Sequence, residues 1–409
     1  MKYAILVCDG AADWPIESLG NKTVLEAANT KHMDWIASKG KMGMLRTIPP
    51  EMPPGSDVAN MCILGYRPEN DLTGRGPLEA LSAGLRLELT DIAFRCNLIC
   101  IENDHIKDYS SDHISTEEST QLIEELQDKL GGQGIDFFPG VQYRHILRLD
   151  GNIFSENIHT TPPHDQLDQP YKHHLVRSLE QGDERAQRTA DKINSLIEQS
   201  NKILIDHPVN KEREKNGKLK ATHIWPWSGG KKPAIKLFKE KYGLEGSVIS
   251  AVDLIFGIGI VAGLEPIRVQ GATGLLNTNF KGKVKAAIRE LKKKDFVYLH
   301  VEASDEMGHA GDVKRKIEAL ELFDEKIVKP FIEAEKMFNH ELIIAILPDH
   351  PTPIKIRTHT GDPVPFAIYN PKASNNIALE RQYTEKSGQE GEYGLIENGE
   401  AFMNLFLKT

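Results

Sequence analysis

Cysteine is scarce in this chain: four thiols, Cys8, Cys62, Cys96 and Cys100, in 409 residues. Their spacing matches no zinc ribbon and offers no disulfide framework. Scattered buried thiols of a reducing, cytoplasmic protein are therefore expected. No apolar run approaches the ~20 residues of a membrane span, and the stretch from Met1 to Cys8 is too short for a signal sequence. Positive charge is in deficit as well. The 50 Lys and Arg against 59 Asp and Glu leave a formal net charge of -9, which argues against nucleic acid or a membrane surface as a partner. There is no Gly-x-x-x-x-Gly-Lys-Ser/Thr loop, which disfavours a P-loop nucleotide kinase.

What is present fits a globular protein of two or three domains, at roughly 150 residues each. Three short apolar runs share one form. Tyr3 to Cys8 ends in Asp9-Gly10, Phe296 to Val301 leads into Glu302 and Asp305, and Leu342 to Leu347 leads through Pro348 into Asp349-His350. Each reads as a buried parallel strand with an acid at its carboxyl end. Helical patterns surround them: Val284, Ala287, Ile288 and Leu291; Ala190, Ile193, Leu196 and Ile197; and a run from about Asp312 to Met337. Strands alternating with helices predict an α/β domain whose sheet is mostly parallel, with sites at the carboxyl ends of the strands. Residues 84–172 differ. Strand-like pieces (Phe94 to Ile101, Tyr143 to Leu149), a helix (Thr120 to Leu130) and a polar segment (Asn157 to His174) predict a smaller inserted α+β domain, leaving 1–83 and 173–409 as the core. The charged stretch Lys211 to Lys220 reads as a solvated loop.

Asp305 and His309 lie four apart, so on a helix they share a face and can serve one cation. Asp349-His350 follows a strand and can diverge toward two neighbouring ions. His359 sits in a backbone stiffened by Gly361, Pro363 and Pro365. Ser56, in Pro53-Pro54-Gly55-Ser56, opens a helix, a position that suits a cap or a bound phosphate. Singly, each of these has a plain structural explanation. Together Asp9, Ser56, Asp305, His309, Asp349, His350 and His359 supply three carboxylates, three imidazoles and a hydroxyl. That inventory serves two divalent ions ~4 Å apart that activate a serine oxygen and offset charge on a transferring phosphoryl group.

The order and local sequence of these pieces resemble the alkaline phosphatase superfamily, and within it the shorter, archaeal-type cofactor-independent phosphoglycerate mutases. Besides the seven residues, the resemblance rests on Val7-Cys8-Asp9-Gly10, Gly74 to Ala80, Phe94-Arg95-Cys96-Asn97, His207-Pro208-Val209-Asn210 and Ile224-Trp225-Pro226-Trp227. It implies an alkaline-phosphatase-like core with an inserted cap that keeps water out. It implies an isomerase that interconverts 3-phosphoglycerate and 2-phosphoglycerate through a phosphoserine at Ser56, without 2,3-bisphosphoglycerate. One ion would be held by Asp305, His309 and His359, and the other by Asp9, Asp349 and His350 beside Ser56. Mn2+ is the expected ion, with Zn2+, Co2+ and Mg2+ as alternatives. A small phosphorylated substrate is the expected partner, bound by Arg75 and Arg95, with Asn97, Arg144, Arg213 and Lys231 as further candidates.

The chain departs from that pattern at Ile106 to Glu118. The archaeal mutases are associated there with paired arginines, and here the stretch reads Ile-Lys-Asp-Tyr-Ser-Ser-Asp-His-Ile-Ser-Thr-Glu-Glu. In this it looks like a bacterial subgroup proposed to phosphorylate homoserine, where Asp108 or Asp112 could meet an ammonium group. A phosphomonoester or phosphonate hydrolase of the superfamily is a third reading.

Overall fold

The computed structural model describes residues 1–373 and 379–409. It divides into two compact units, Met1–Leu72 with Ala234–Thr409, and Thr73–Pro233.

The first unit is built on an eight-stranded sheet. In spatial order its strands are Glu265–Pro266, Gly246–Ile249, Phe296–Val301, Lys2–Cys8, Leu342–Leu347, Val364–Tyr369, Lys41–Leu45 and Leu395–Ile396. All run in one direction except Val364–Tyr369, which is antiparallel to both its neighbours. The three runs read from the sequence are the adjacent central strands, and both faces are covered: Ala4, Ile5, Leu6 and Val7 are wholly buried. Ala4, Leu6 and Cys8 join the main core with Val297, Leu299, Ile344 and Ile346. Ile5 and Val7 point the other way, in register with Tyr298 and His300. Side chains alternate along a strand, so Asp9 continues the Ile5–Val7 face just beyond the strand end.

The second unit holds a five-stranded sheet. Its long strand Ile92–Glu102 pairs antiparallel with His105–Asp108, Arg144–Leu149 and His223–Lys231, and Ile135–Val141 pairs with Arg144–Leu149. The helices Thr116–Leu130 and Glu184–Leu204 bury Leu122, Ile123, Leu126, Ile193, Leu196 and Ile197 in its core. Ser115 and Glu118 form a capping box that starts the first of these helices four residues earlier than read from the sequence.

The unit is wider than the 84–172 expected, at both ends. Helix Arg75–Ser82 belongs to it because Gly76 lets the helix lie directly on strand Ile92–Glu102, where a Cβ would meet the Ala93 carbonyl at 2.2 Å. At the other end His223–Lys231 completes the sheet, so the chain leaves only at Pro233. The stretch from Lys211 is also not a plain loop. Residues Pro208–Lys215 form a helix with Pro208 in its first turn, and the His207 ring accepts from the Val209 N–H. The four cysteines are free and buried, as expected. Among the described residues no helix is long and apolar enough to cross a membrane.

Candidate active site

Three strand ends, one helix start and the loop that carries His359 bring the seven residues read from the sequence together in the first unit. Helix Ala303–Ala310 follows strand Phe296–Val301 and places Asp305 and His309 on one face. His309 Nε2 lies 3.2 Å from Asp305 Oδ2, and His359 Nε2 lies 3.4 Å from Asp305 Oδ1. The two imidazole nitrogens, His309 Nε2 and His359 Nε2, are 3.0 Å apart. His309 Nδ1 faces the Arg357 carbonyl at 2.9 Å, and a carbonyl can only accept. Nδ1 therefore carries a proton, and in the neutral ring Nε2 is left with its lone pair toward His359 and Asp305.

Asp9, Asp349 and His350 form the second group. His350 Nε2 is 3.6 Å from Asp9 Oδ1 and 3.5 Å from Asp349 Oδ2. All three side chains are buried. Ser56 opens helix Ser56–Ile63, but Gly55 is the cap residue and makes no side-chain cap bond. Freed from capping, the Ser56 hydroxyl points at His350 Nε2, 3.1 Å away.

The electrostatics are those of crowded carboxylates. Burial, with Asp349 and Asp305 beside it, drives the Asp9 carboxyl well above its ordinary value. Burial pushes Asp349 upward as well, yet the neighbouring His350 and His300 hold it far below the ordinary value. Asp305 is likewise held well below against burial, by hydrogen bonds from His309 and His359. His350 is depressed by burial. His309, bonded to Asp305, is raised to about 9. Asp9 Oδ1 is buried without a hydrogen-bond partner among the described residues. An orphaned carboxylate oxygen, facing imidazole lone pairs and acids packed this closely fit divalent cations. Three sets each bring their ligand atoms within 4.8 Å of one another: Asp305, His309 and His359; Asp9, Asp305 and His350; Asp9, His300 and Asp349.

Several supporting residues were not singled out from the sequence. Asn60 Nδ2 donates to Asp349 Oδ2 and to the Ser56 carbonyl, both at 2.8 Å, and Asn60 Oδ1 accepts from Tyr298 at 2.5 Å. The Thr352 hydroxyl donates to Asp305 Oδ1 at 2.5 Å. The wholly buried Lys316 donates to Asp13 and to the Thr352 carbonyl, each at 2.8 Å. Gly10 (φ 63°) passes so close to Asp305 that a Cβ would sit 2.6 Å from its Oδ1. Asn60, four residues after Ser56, had a readable signal in helical spacing. Thr352 and Lys316 had none.

The expected substrate-binding residues all lie in the second unit, and they separate into two kinds. Arg95 lies over the Trp227 ring (4.9 Å to the centroid) and pairs with Glu79 at 3.1 Å, while its buried Nε has no hydrogen-bond partner among the described residues. Burial lowers its pKa, and the neighbouring Arg144 and Arg75 add to the effect. His164 joins them: its ring is 5.3 Å from that of Trp227, and burial with Arg95 and Arg75 lowers its pKa. Arg75 and Arg144 thus lie close enough to Arg95 to act on its charge, and Glu79 pairs with Arg95.

Arg213 is different. It is buried and donates from Nε to the Leu219 carbonyl (2.9 Å), from Nη1 to Glu118 (2.7 Å) and from Nη2 to the Ser111 carbonyl. These bonds stitch the interior of the unit. Asn97 is also buried, with Oδ1 accepting from Trp227 and Nδ2 donating to the Tyr109 carbonyl. Lys231 pairs with Glu156 at 2.6 Å. Asp108 accepts from the Ser110 N–H and hydroxyl and from the Asp112 N–H, which ties it to its own turn.

Known proteins share the sequence and the fold of this chain. Residues 37–210 match the sequence family described as 2,3-bisphosphoglycerate-independent phosphoglycerate mutase. The protein of that name from Methanosarcina acetivorans is 47% identical, over 97% of each chain. The one from Methanothrix thermoacetophila is 44% identical, over 98% of each. Among solved structures, a protein from Pyrococcus horikoshii superposes with a TM-score of 0.83 at 29% identity, over 100% of this chain and 96% of that one. The cofactor-independent phosphoglycerate mutase of Thermoplasma acidophilum gives 0.68 at 27% identity, over 100% and 99%. With nearly half its residues shared along almost the whole length of such relatives, the chain belongs to the 2,3-bisphosphoglycerate-independent phosphoglycerate mutase family.

Proposed function

We propose that the chain interconverts 3-phosphoglycerate and 2-phosphoglycerate through a phosphoserine at Ser56, with two divalent cations and without 2,3-bisphosphoglycerate. The observation that carries this is the Ser56 hydroxyl, relieved of capping by Gly55 and aimed at His350 over the buried acids. Asp305, His309 and His359 would hold one ion, and Asp9, Asp349 and His350 the other, next to Ser56. Bound ions supply charge neutralisation for the phosphoryl group and lower the pKa of a neighbouring hydroxyl. The mixed carboxylate and imidazole donors suit Mn2+.

Ser56 Oγ attacks phosphorus. The P–Oγ bond forms, the bond to the glycerate oxygen breaks, and that oxygen takes up the proton that the serine gives up. Attack on the phosphoserine by the other glycerate hydroxyl reverses the sequence, with no water consumed. Arg75, Arg95 and Arg144 are the cations that would bind the glycerate carboxylate and phosphate. Of the two acids in the homoserine reading, Asp108 is engaged in its own turn, which leaves that reading to Asp112.

The test is a substrate panel on Mn2+-loaded protein. Turnover of 3-phosphoglycerate in an enolase-coupled assay is expected. No such turnover, with phosphohomoserine formed from homoserine and ATP, refutes the mutase reading.

A further inference from the structure

His300 lies inside the apolar run Phe296–Val301, and its side chain is wholly buried. It pairs in register with Val7, on the face that Asp9 continues. Its Nε2 is 3.1 Å from Asp9 Oδ2 and 3.9 Å from Asp349 Oδ2. Yet Nε2 has no hydrogen-bond partner among the described residues, and neither does Asp9 Oδ1. The contact with Asp9 is thus at ion-pair distance but off the line of a hydrogen bond.

A buried, unpartnered imidazole nitrogen is costly, by roughly 1–3 kcal/mol, unless something else meets its lone pair. The other ring nitrogen faces a group that can fix the tautomer. Nδ1 is 3.3 Å from Ser250 Oγ, an oxygen that already accepts from the Val252 N–H. A proton on Nδ1, shared with Ser250, leaves the Nε2 lone pair directed at Asp9 and Asp349. Donor atoms ~2.1 Å from one ion lie ~3.0–3.4 Å from each other. The 3.1 Å from His300 Nε2 to Asp9 Oδ2 is inside that range, while the 3.9 Å to Asp349 Oδ2, and the 3.5 and 3.6 Å from His350 Nε2 to Asp349 Oδ2 and Asp9 Oδ1, are somewhat longer.

We propose that His300 Nε2 is a further protein ligand of the cation held by Asp9, Asp349 and His350, with Ser250 fixing its tautomer. The proposal rests on the two-cation reading above. A second imidazole shifts that ion's donor set from oxygen toward nitrogen, which favours Mn2+, Co2+ or Zn2+ over Mg2+. The backbone supports the placement, since the buried Lys283 ammonium donates to the His300 carbonyl at 3.0 Å and anchors that end of the strand.

Calorimetric titration of Mn2+ and of Mg2+ into chelator-stripped protein tests this, with His300→Gln beside the unsubstituted chain. The unsubstituted chain is expected to bind two Mn2+. In the variant one affinity should hold within twofold, the other should weaken at least tenfold, and the Mn2+ over Mg2+ preference of that weakened step should fall. Two ions bound by the variant with unchanged affinities and preference overturn the His300 assignment and leave the two-cation reading intact, even if the stripped variant melts earlier. No ion bound by the unsubstituted chain overturns both. Should the variant not fold, anomalous scattering from Mn2+-loaded crystals of the unsubstituted protein decides: an ion ~2.2 Å from Nε2 supports ligation, and one beyond ~3 Å refutes it.

Discussion

Ser56 occupies the first turn of its helix without capping it, and the difference between those two jobs is one residue of register. Gly55 takes the cap position in an extended conformation and frees the hydroxyl for His350. Ser56→Ala should therefore lower turnover by about 10^4-fold or more while mass spectrometry under native conditions still finds two Mn2+. Retained activity in that variant would remove the phosphoserine from the mechanism. Asn60 makes a second prediction at this scale. It joins the Ser56 carbonyl, Asp349 and Tyr298 through one buried amide. Asn60→Ala leaves the Tyr298 hydroxyl and an Asp349 oxygen short of a partner, at a cost of about 2 kcal/mol. Denaturant titration should show that loss, and turnover should fall with it because Asp349 is no longer held.

Elements show where sequence reading works and where it stops. The three central strands were legible because parallel strands buried on both faces leave continuous apolar runs, each ending in an acid. Asp305 and His309 were legible because helical spacing puts them on one face. His300 was not, because a histidine inside an apolar run carries no periodic signal. The stretch at Lys211 was misread for a related reason. Helix Pro208–Lys215 has almost no apolar face, and it is held by Asn210 and Arg213, polar side chains that act as interior groups. The domain boundary was misplaced because pairing of Ile92–Glu102 with His223–Lys231 joins segments more than a hundred residues apart. The helix makes the third prediction. Arg213→Leu removes a buried guanidinium that bonds the Leu219 and Ser111 carbonyls and the half-buried Glu118, and should destabilise the chain by about 3 kcal/mol through the carbonyls left unpaired, with KM for 3-phosphoglycerate unchanged within twofold. A rise in KM without loss of stability would return Arg213 to the substrate site.

At the scale of the whole molecule, ion binding and folding are linked through protons. In the metal-free chain the His309 pKa is raised to about 9 by its bond to Asp305, above the ~6.5 of an unfolded histidine. That interaction stabilises the metal-free fold fully below about pH 6.5, and its contribution is lost as pH rises through 9. A cation needs the same nitrogen without its proton, so it competes with protons below about pH 9 and binds with less penalty as that limit is approached. The two effects have opposite sign. Melting temperatures in excess chelator and in saturating Mn2+, measured from pH 6 to pH 9, should therefore diverge as pH rises, since the stabilisation by a bound ion grows with its affinity. In His309→Gln, which carries no titrating imidazole there, the pH dependence of that gap should flatten. A gap that is constant with pH in the unsubstituted chain would mean that no cation competes with the His309 proton, and Asp305, His309 and His359 would then have to be released from the metal assignment.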